Sequence, residues 1–265
     1  MIQFKSKREI DRMAVAGDLV ARAFGEIAHL LQPGIATGAI DDRIREFVSG
    51  EGGELLFFNY HGFPAHSCIS INEEVVHGIP GDRQVQEGDL VSIDIGVKVA
   101  GFCGDSARTF AVGEVPEASR RVLDCCRMAL AAGIARALPG TRLSELSGAI
   151  EGVIRGESLG LVETFVGHGI GREMHEEPQV PNFVSEVLLK EDIELKPGLV
   201  LAIEPMVNSG TGEVKTLADG WTVVTVDGGV SAHCEHTVAI TESGPRVLTI
   251  GPGEEWPPLE GTPGQ

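Results

Sequence analysis

Residues 94–105, Asp94-Ile95-Gly96-Val97-Lys98-Val99-Ala100-Gly101-Phe102-Cys103-Gly104-Asp105, carry an acid at each end of an expected β-hairpin. The run leading in, Val91 to Val97, alternates like a strand, with Val91, Ile93, Ile95 and Val97 on one face and Ser92, Asp94 and Gly96 on the other. Asp is depleted in strands, so its presence there calls for a reason. A turn centred between Val99 and Ala100 puts Asp94 directly opposite Asp105, with Cβ atoms roughly 4.5–5.5 Å apart. Two like charges so placed destabilise a sheet unless something neutralises them.

The composition around this stretch narrows the classes. The chain has 265 residues, 42% hydrophobic and 23% charged, which is ordinary globular usage with ample material for a core. No apolar run reaches the roughly 20 residues of a membrane span, and MIQFKSKREI lacks the apolar segment of a signal peptide. The formal charge of −18 argues against a nucleic-acid surface and reads mainly as a solubilising exterior. Five cysteines without a C-x-x-C, two of them adjacent (Cys125, Cys126), suit a reducing compartment, so a cytoplasmic location is expected.

Ser6 and Glu9 form a capping-box pattern. Behind it Ile10, Met13, Ala14, Gly17, Ala21, Phe24, Ala28 and Leu31 keep helical spacing up to Pro33-Gly34. A second helix is expected from Pro116 to Leu138, and the tail from Gly251, rich in Pro, Gly and Glu, is expected to be disordered. The chain also shows a faint duplication. Pro33-Gly34 followed by Ile40, Ile44 and Val48 matches Pro139-Gly140 followed by Leu146, Ile150 and Ile154. His61-Gly62 falls near the place of His168-Gly169, and Gly88-Asp89-Leu90-Val91-Ser92-Ile93-Asp94 parallels Gly198-Leu199-Val200-Leu201-Ala202-Ile203-Glu204. The pattern predicts two related αβ halves about a pseudo-twofold axis, with mostly antiparallel sheet.

The duplication answers the question raised by the hairpin. Asp94 has a counterpart in Glu204, inside the apolar run Leu199–Val207, and Asp105 has one in Glu235, within Ser231–Ile240. Four carboxylates converging inside a protein need cations, and hard oxygen donors suit divalent ones. His168 can add a nitrogen ligand, and five such side chains match a metal pair about 3.5–4 Å apart. Other motifs fail: Gly167-His168-Gly169-Ile170-Gly171-Arg172 lacks the last glycine of a dinucleotide turn, and Arg108 replaces the last glycine of a nucleophile elbow. There is no H-E-x-x-H and no Walker loop.

Taken together, Ile69–Pro80, Gly167–Gly171, Met174–Val180, Ile203–Met206, Asp219–Val223 and Glu235–Thr237 resemble type I methionine aminopeptidases in order and spacing, over about Ile2 to Ile250. The resemblance implies an α+β pita-bread fold: one catalytic domain over 1–250, with halves of roughly 1–110 and 111–250, and a tail at 251–265. It implies two divalent ions (Co, Mn, Fe or Zn), with Asp94 chelating one, Asp105 and Glu235 bridging both, and His168 with Glu204 holding the other. A hydroxide bridging the ions would attack the scissile carbonyl, with Glu204 moving protons. His77 would contact the scissile amide and His175 would polarise the carbonyl. Tyr60, Phe63, Cys68, Met174 and Trp221, with His77 on the wall, would hold the methionine side chain. Met174 stands where relatives often carry an aromatic, and Gly96 where some carry threonine.

The implied reaction is removal of the initiator methionine from nascent proteins and peptides whose second residue is small. A monomer is expected, without nucleic acid or membrane. Transient ribosome association is a family-level implication to which the acidic charge lends nothing. Two rivals remain on the sequence. An Xaa-Pro peptidase of the same fold usually carries an extra N-terminal domain, whereas here the first helix starts near Ser6. A dead, binding-only relative would lack metal ligands, and all five are present.

Overall fold

The structure is a computed structural model that describes residues 1–251. The expected disordered tail lies outside the described residues, apart from Gly251. The first half runs α1 (Lys7–Ala28), α2 (Thr37–Gly50), β1 (Glu54–Leu55), a single 3-10 turn at Tyr60–Gly62, β2 (Cys68–Ile71), β3 (Glu74–Val76), β4 (Leu90–Val99) and β5 (Phe102–Ala111). The second runs α3 (Glu117–Ala135), α4 (Leu143–Gly156), β6 (Gly160–Leu161), β7 (Gly167–Gly169), β8 (Glu176–Val180), α5 (Glu186–Lys190) and β9 (Val200–Ile203). It continues with β10 (Met206–Asn208), β11 (Val214–Thr216), β12 (Val223–Thr225), β13 (Ser231–His233), β14 (His236–Thr241) and β15 (Gly244–Val247). Every strand pairing among the described residues is antiparallel.

The capping box forms: Ser6 Oγ accepts from Glu9 N, and the Glu9 carboxylate accepts from Ser6 N. Helix α1 stops at Ala28, three residues short of the expected Leu31, because the chain tightens into a turn with Leu30 N donating to Ile27 O. Its buried stripe therefore includes Ile27, while Ala28 is exposed. Helix α3 likewise ends at Ala135 rather than Leu138.

The duplication is a structural fact. Helices α2 and α4 have 14 residues each, and each is entered through the same set of backbone bonds. Gly34 N donates to Val85 O and Val85 N to Ile35 O; in the second half Gly140 N donates to Leu195 O and Leu195 N to Thr141 O. Thr37 N to Arg83 O is likewise matched by Leu143 N to Ile193 O. One proposed equivalence fails. Ser92 of β4 pairs with Ser70 of β2, and Ala202 of β9 pairs with His168 of β7, so the counterpart of His168 is Ser70. His61 lies instead on the 3-10 turn before β2.

In the first half α1 and α2 cover one face of the β1-β4-β2 sheet, whose other partner of β4 is β5; Phe24, Ile27, Ile40 and Ile44 pack on Ile69, Ile93 and Ile95. In the second, α3 and α4 cover the β15-β14-β9-β7-β8 sheet through Leu130, Ile134, Ile150, Leu201 and Val238. The halves meet through Met13, Phe102, Ile170, Val200, Ala239 and Leu248. There α1 touches β5 almost backbone to backbone: a Cβ at Gly104 would sit 2.7 Å from Gly17 N, and one at Gly17 would run into Leu248 O and C. Neither neighbour is a side chain that can swing away, so even Gly17→Ala should cost about 3 kcal/mol, read as a lowered denaturant midpoint.

A candidate metal centre between the halves

The 94–105 hairpin forms, but in a different register from the one expected. Val99 pairs with Phe102 and Gly96 with Asp105, so Asp94 faces Ala107. The turn residues are Ala100 and Gly101, both with positive φ (48° and 80°), the signature of a two-residue turn matched to strand twist. The shift is two residues, and side chains alternate with period two. Asp94 and Asp105 therefore stay on one face as diagonal neighbours rather than opposite partners. A side chain at Gly96 would press on the Phe57 ring, 3.0 Å from its Cβ, and approach Asp105 Oδ1 at 3.3 Å.

Glu204 and Glu235 depart from the strand-interior placement. Glu204-Pro205 forms the break between β9 and β10, and Cys234-Glu235 the break between β13 and β14. At both points the chain leaves the five-stranded sheet for the three-stranded β13-β10-β6 sheet, or the reverse. Proline after Glu204 cannot donate to a ladder, and such interruptions re-aim side chains. Glu235 is stitched to the first half: its N donates to Ala107 O, and Ser106 Oγ donates to its carbonyl. Asp105 N donates to Thr237 Oγ1, whose hydroxyl donates back to Asp105 O.

These seams bring the five expected donors together. Donor atoms of Asp105, His168 and Glu235 lie within 4.8 Å of one another. His168 Nε2 stands 3.6 Å from Glu204 Oε1. Asp94 joins from β4, and all five line one cavity of about 330 Å³. Asp105 Oδ1, Asp94 Oδ1 and Glu235 Oε1 are buried without a hydrogen-bond partner. Burial raises the Glu204 carboxyl to about 8; burial and then the Glu204 charge raise Asp105 to about 7. Burial followed by the Asp105 charge pushes Asp94 and Glu235 well above the carboxylate range. Three orphaned carboxylate oxygens in one place fit divalent cations, for which hard oxygen donors are suited.

The histidines are set up for different jobs. Burial keeps His168 neutral, its pKa lowered to about 3. Its Nδ1 lies 2.9 Å from Gly169 O; a carbonyl only accepts, so Nδ1 carries the proton and Nε2 presents a lone pair to the acids. His175 Nδ1 lies 2.6 Å from Tyr60 OH, which can donate to it and leave Nε2–H facing the cavity. His77 follows β3 with φ of 59°, its ring edge-on to Phe165, and burial lowers its pKa to about 4.

Every expected substrate-binding residue lines the same cavity: Tyr60, Phe63, Cys68, His77, Met174, His175 and Trp221. Phe57, Phe63, Ala65, Cys68 and Met174 form a buried apolar cluster with Tyr60 and Trp221 packed against it. The aromatic run divides, since Phe58 turns outward and stacks on His66. His61, Phe165 and His233 also line the cavity without having been singled out as site residues. For His233 the signal was available, two residues before Glu235.

The profile of metallopeptidase family M24 matches residues 11–242. The chain belongs to metallopeptidase family M24. Within M24 it is 46% identical over 249 residues to methionine aminopeptidase 1 of Bacillus subtilis, covering 94% of this chain and 99% of that one. The crystal structure of methionine aminopeptidase from Thermotoga maritima superposes with a TM-score of 0.91 at 39% identity, over 94% of this chain and all of that one. That likeness makes the fold the pita-bread fold. The Xaa-Pro dipeptidase from Bacillus anthracis, at 21% identity and TM-score 0.76, covers 94% of this M24 chain and 62% of its own and shares the fold alone. No helix among the described residues is long and apolar enough to cross a membrane.

Proposed function

We propose that the chain removes N-terminal methionine from peptides and nascent proteins whose second residue is small. The observation that carries this reading is the convergence of five metal-type donors on the floor of a cavity walled by Phe63, Cys68, Met174 and Trp221. Asp94, Asp105, His168, Glu204 and Glu235 would hold two divalent ions. Bound there, the ions supply the positive charge the acids lack, acidify a water and polarise a carbonyl. The apolar cluster takes the methionine side chain, whose soft thioether suits aromatic and sulfur neighbours.

His175, oriented by Tyr60, donates Nε2–H to the carbonyl oxygen as it gains negative charge. His77 approaches the scissile amide from the wall beside Phe165. Glu204, partly exposed to the cavity, takes the proton from the attacking water on a carboxylate oxygen and passes it to the departing amine. The five cysteines are all free thiols, which supports a reducing, cytoplasmic setting.

Hydrolysis of Met-Ala-Ser, Met-Leu-Ser, formyl-Met-Ala-Ser and Ala-Pro tests this. Met-Ala-Ser should be cleaved, with the formylated and Met-Leu peptides at least about 100-fold slower, because formylation removes the charge and donors of the amine and a bulky second residue must be accommodated in a cavity of about 330 Å³. Preference for Ala-Pro would overturn the reading.

A further inference from the structure

His233 is the last residue of β13 and pairs with Met206 of β10, one position beyond the Glu204-Pro205 break. Its backbone is locked to β5: His233 N donates to Thr109 Oγ1 at 3.0 Å, and the Thr109 hydroxyl donates to His233 O at 2.7 Å. Since that hydroxyl has one proton, Ser92 Oγ at 2.8 Å must be the donor to Thr109. The ring is thus carried on rigid sheet rather than on a loop.

His233 is 3% exposed, and its Nε2 has no hydrogen-bond partner. That nitrogen points at Glu204 Oε2 from 3.6 Å, while His168 Nε2 stands 3.6 Å from Oε1. Each oxygen of the Glu204 carboxylate therefore faces a different imidazole. His168 has its proton on Nδ1 and offers only a lone pair. His233, like Asp94 and Glu204, lies outside the cluster of mutually close donor atoms formed by Asp105, His168 and Glu235. A buried nitrogen without a partner costs stability unless the assembled site gives it one.

We propose that His233 is a positioning residue for Glu204, donating Nε2–H to Oε2 so that Oε1 is held toward the metal ligands. The inference rests on the reading of Glu204 as ligand and proton carrier. Fixing the carboxylate sets which oxygen exchanges protons with substrate. Its effect falls on turnover rather than on substrate affinity.

The test compares His233→Leu, His233→Gln and Glu204→Gln in full-length protein, by peptide kinetics and by the visible spectrum of the cobalt(II)-loaded enzyme without substrate. His233→Leu should lose about 10–100-fold in kcat with KM held within about threefold, the size typical of partners that orient metal ligands. It should bind cobalt(II) in wild-type amount with an altered spectrum. His233→Gln, whose amide N–H reaches a similar point, should recover kcat and spectrum. Wild-type kcat in His233→Leu, with Glu204→Gln impaired, would overturn the role of His233 alone. Equal loss in the Leu and Gln variants would reduce the ring to packing and overturn it too. Full activity in Glu204→Gln would remove the underlying reading of Glu204, and this inference with it.

Discussion

Glu235→Gln should abolish turnover and reverse the sign of its stability effect according to whether metal is present. Removing mere outer partners of metal ligands costs about 10–100-fold, so if Glu235 holds metal as proposed its loss should cost at least about 1000-fold. With Mn²⁺ added, the wild type gains stability by mass action, about 2.7 kcal/mol at a hundredfold excess over Kd, and the variant gains less. After chelation the order reverses. The wild type then holds four carboxyls in one buried pocket, three of them with orphaned oxygens, whereas the variant holds three. Neutralising one should raise stability by about 1–4 kcal/mol.

The metal-free wild type should also lose stability as pH rises. Glu204 and Asp105 bind protons more tightly folded, at about 8 and about 7, than at their ordinary values of 4.5 and 3.8. Between those limits the native state holds more protons than the unfolded chain, so stability falls with increasing pH through that window. Thermal melts at pH 5 and pH 8, with and without chelator, read both signs. A chelated variant that melts below chelated wild type would contradict the assignment.

Lys5→Met should destabilise the protein by about 3–5 kcal/mol, since it leaves a buried carboxylate unpaired. Lys5 Nζ meets Glu176 Oε2 at 2.6 Å, and both side chains are 5% exposed. Lys5 is held in place by its own N–H to Gly198 O. The same carboxylate accepts from Arg172 N at 2.9 Å and Glu173 N at 3.3 Å, closing the loop that carries Met174 and His175. For a chain of this size each kcal/mol lowers Tm by about 2–4 °C. Lys5→Met with Glu176→Gln should recover much of the loss, because neither partner is then an isolated charge. The single variant should lose kcat as well, through the loosened His175. A Lys5→Met protein that melts like wild type would show the pair to be dispensable.

The convergence of the four acids on one cavity was legible because acids in apolar runs violate both propensity and burial, and the duplication offered them in matched pairs. The register of the hairpin was not. Ala100-Gly101 is a turn pair only once positive φ at Ala100 is allowed, and a centre one position earlier looks equally plausible from alternation. A shift of two nonetheless keeps Asp94 and Asp105 on one face. Pro205 was a visible sign that Glu204 ends a strand. His61 and His168 share an offset along the chain but no register in a sheet, because His61 sits on a 3-10 turn and His168 on β7. The roles of Lys5, Thr237 and Thr109 depend on contacts across more than a hundred residues, which no local pattern encodes.

The stitching of Asp105 and Glu235 across the seam bears on how the protein matures. The donors are spread from residue 94 to residue 235, and neither half owns a complete set. Bringing such distant segments together is the slow, entropically costly part of folding. A metal ion held by these five side chains would find its full donor set only once the two halves have docked. The free energy such an ion supplies would then be added to a chain whose two halves are already joined, so it would stabilise the docked state rather than drive the docking.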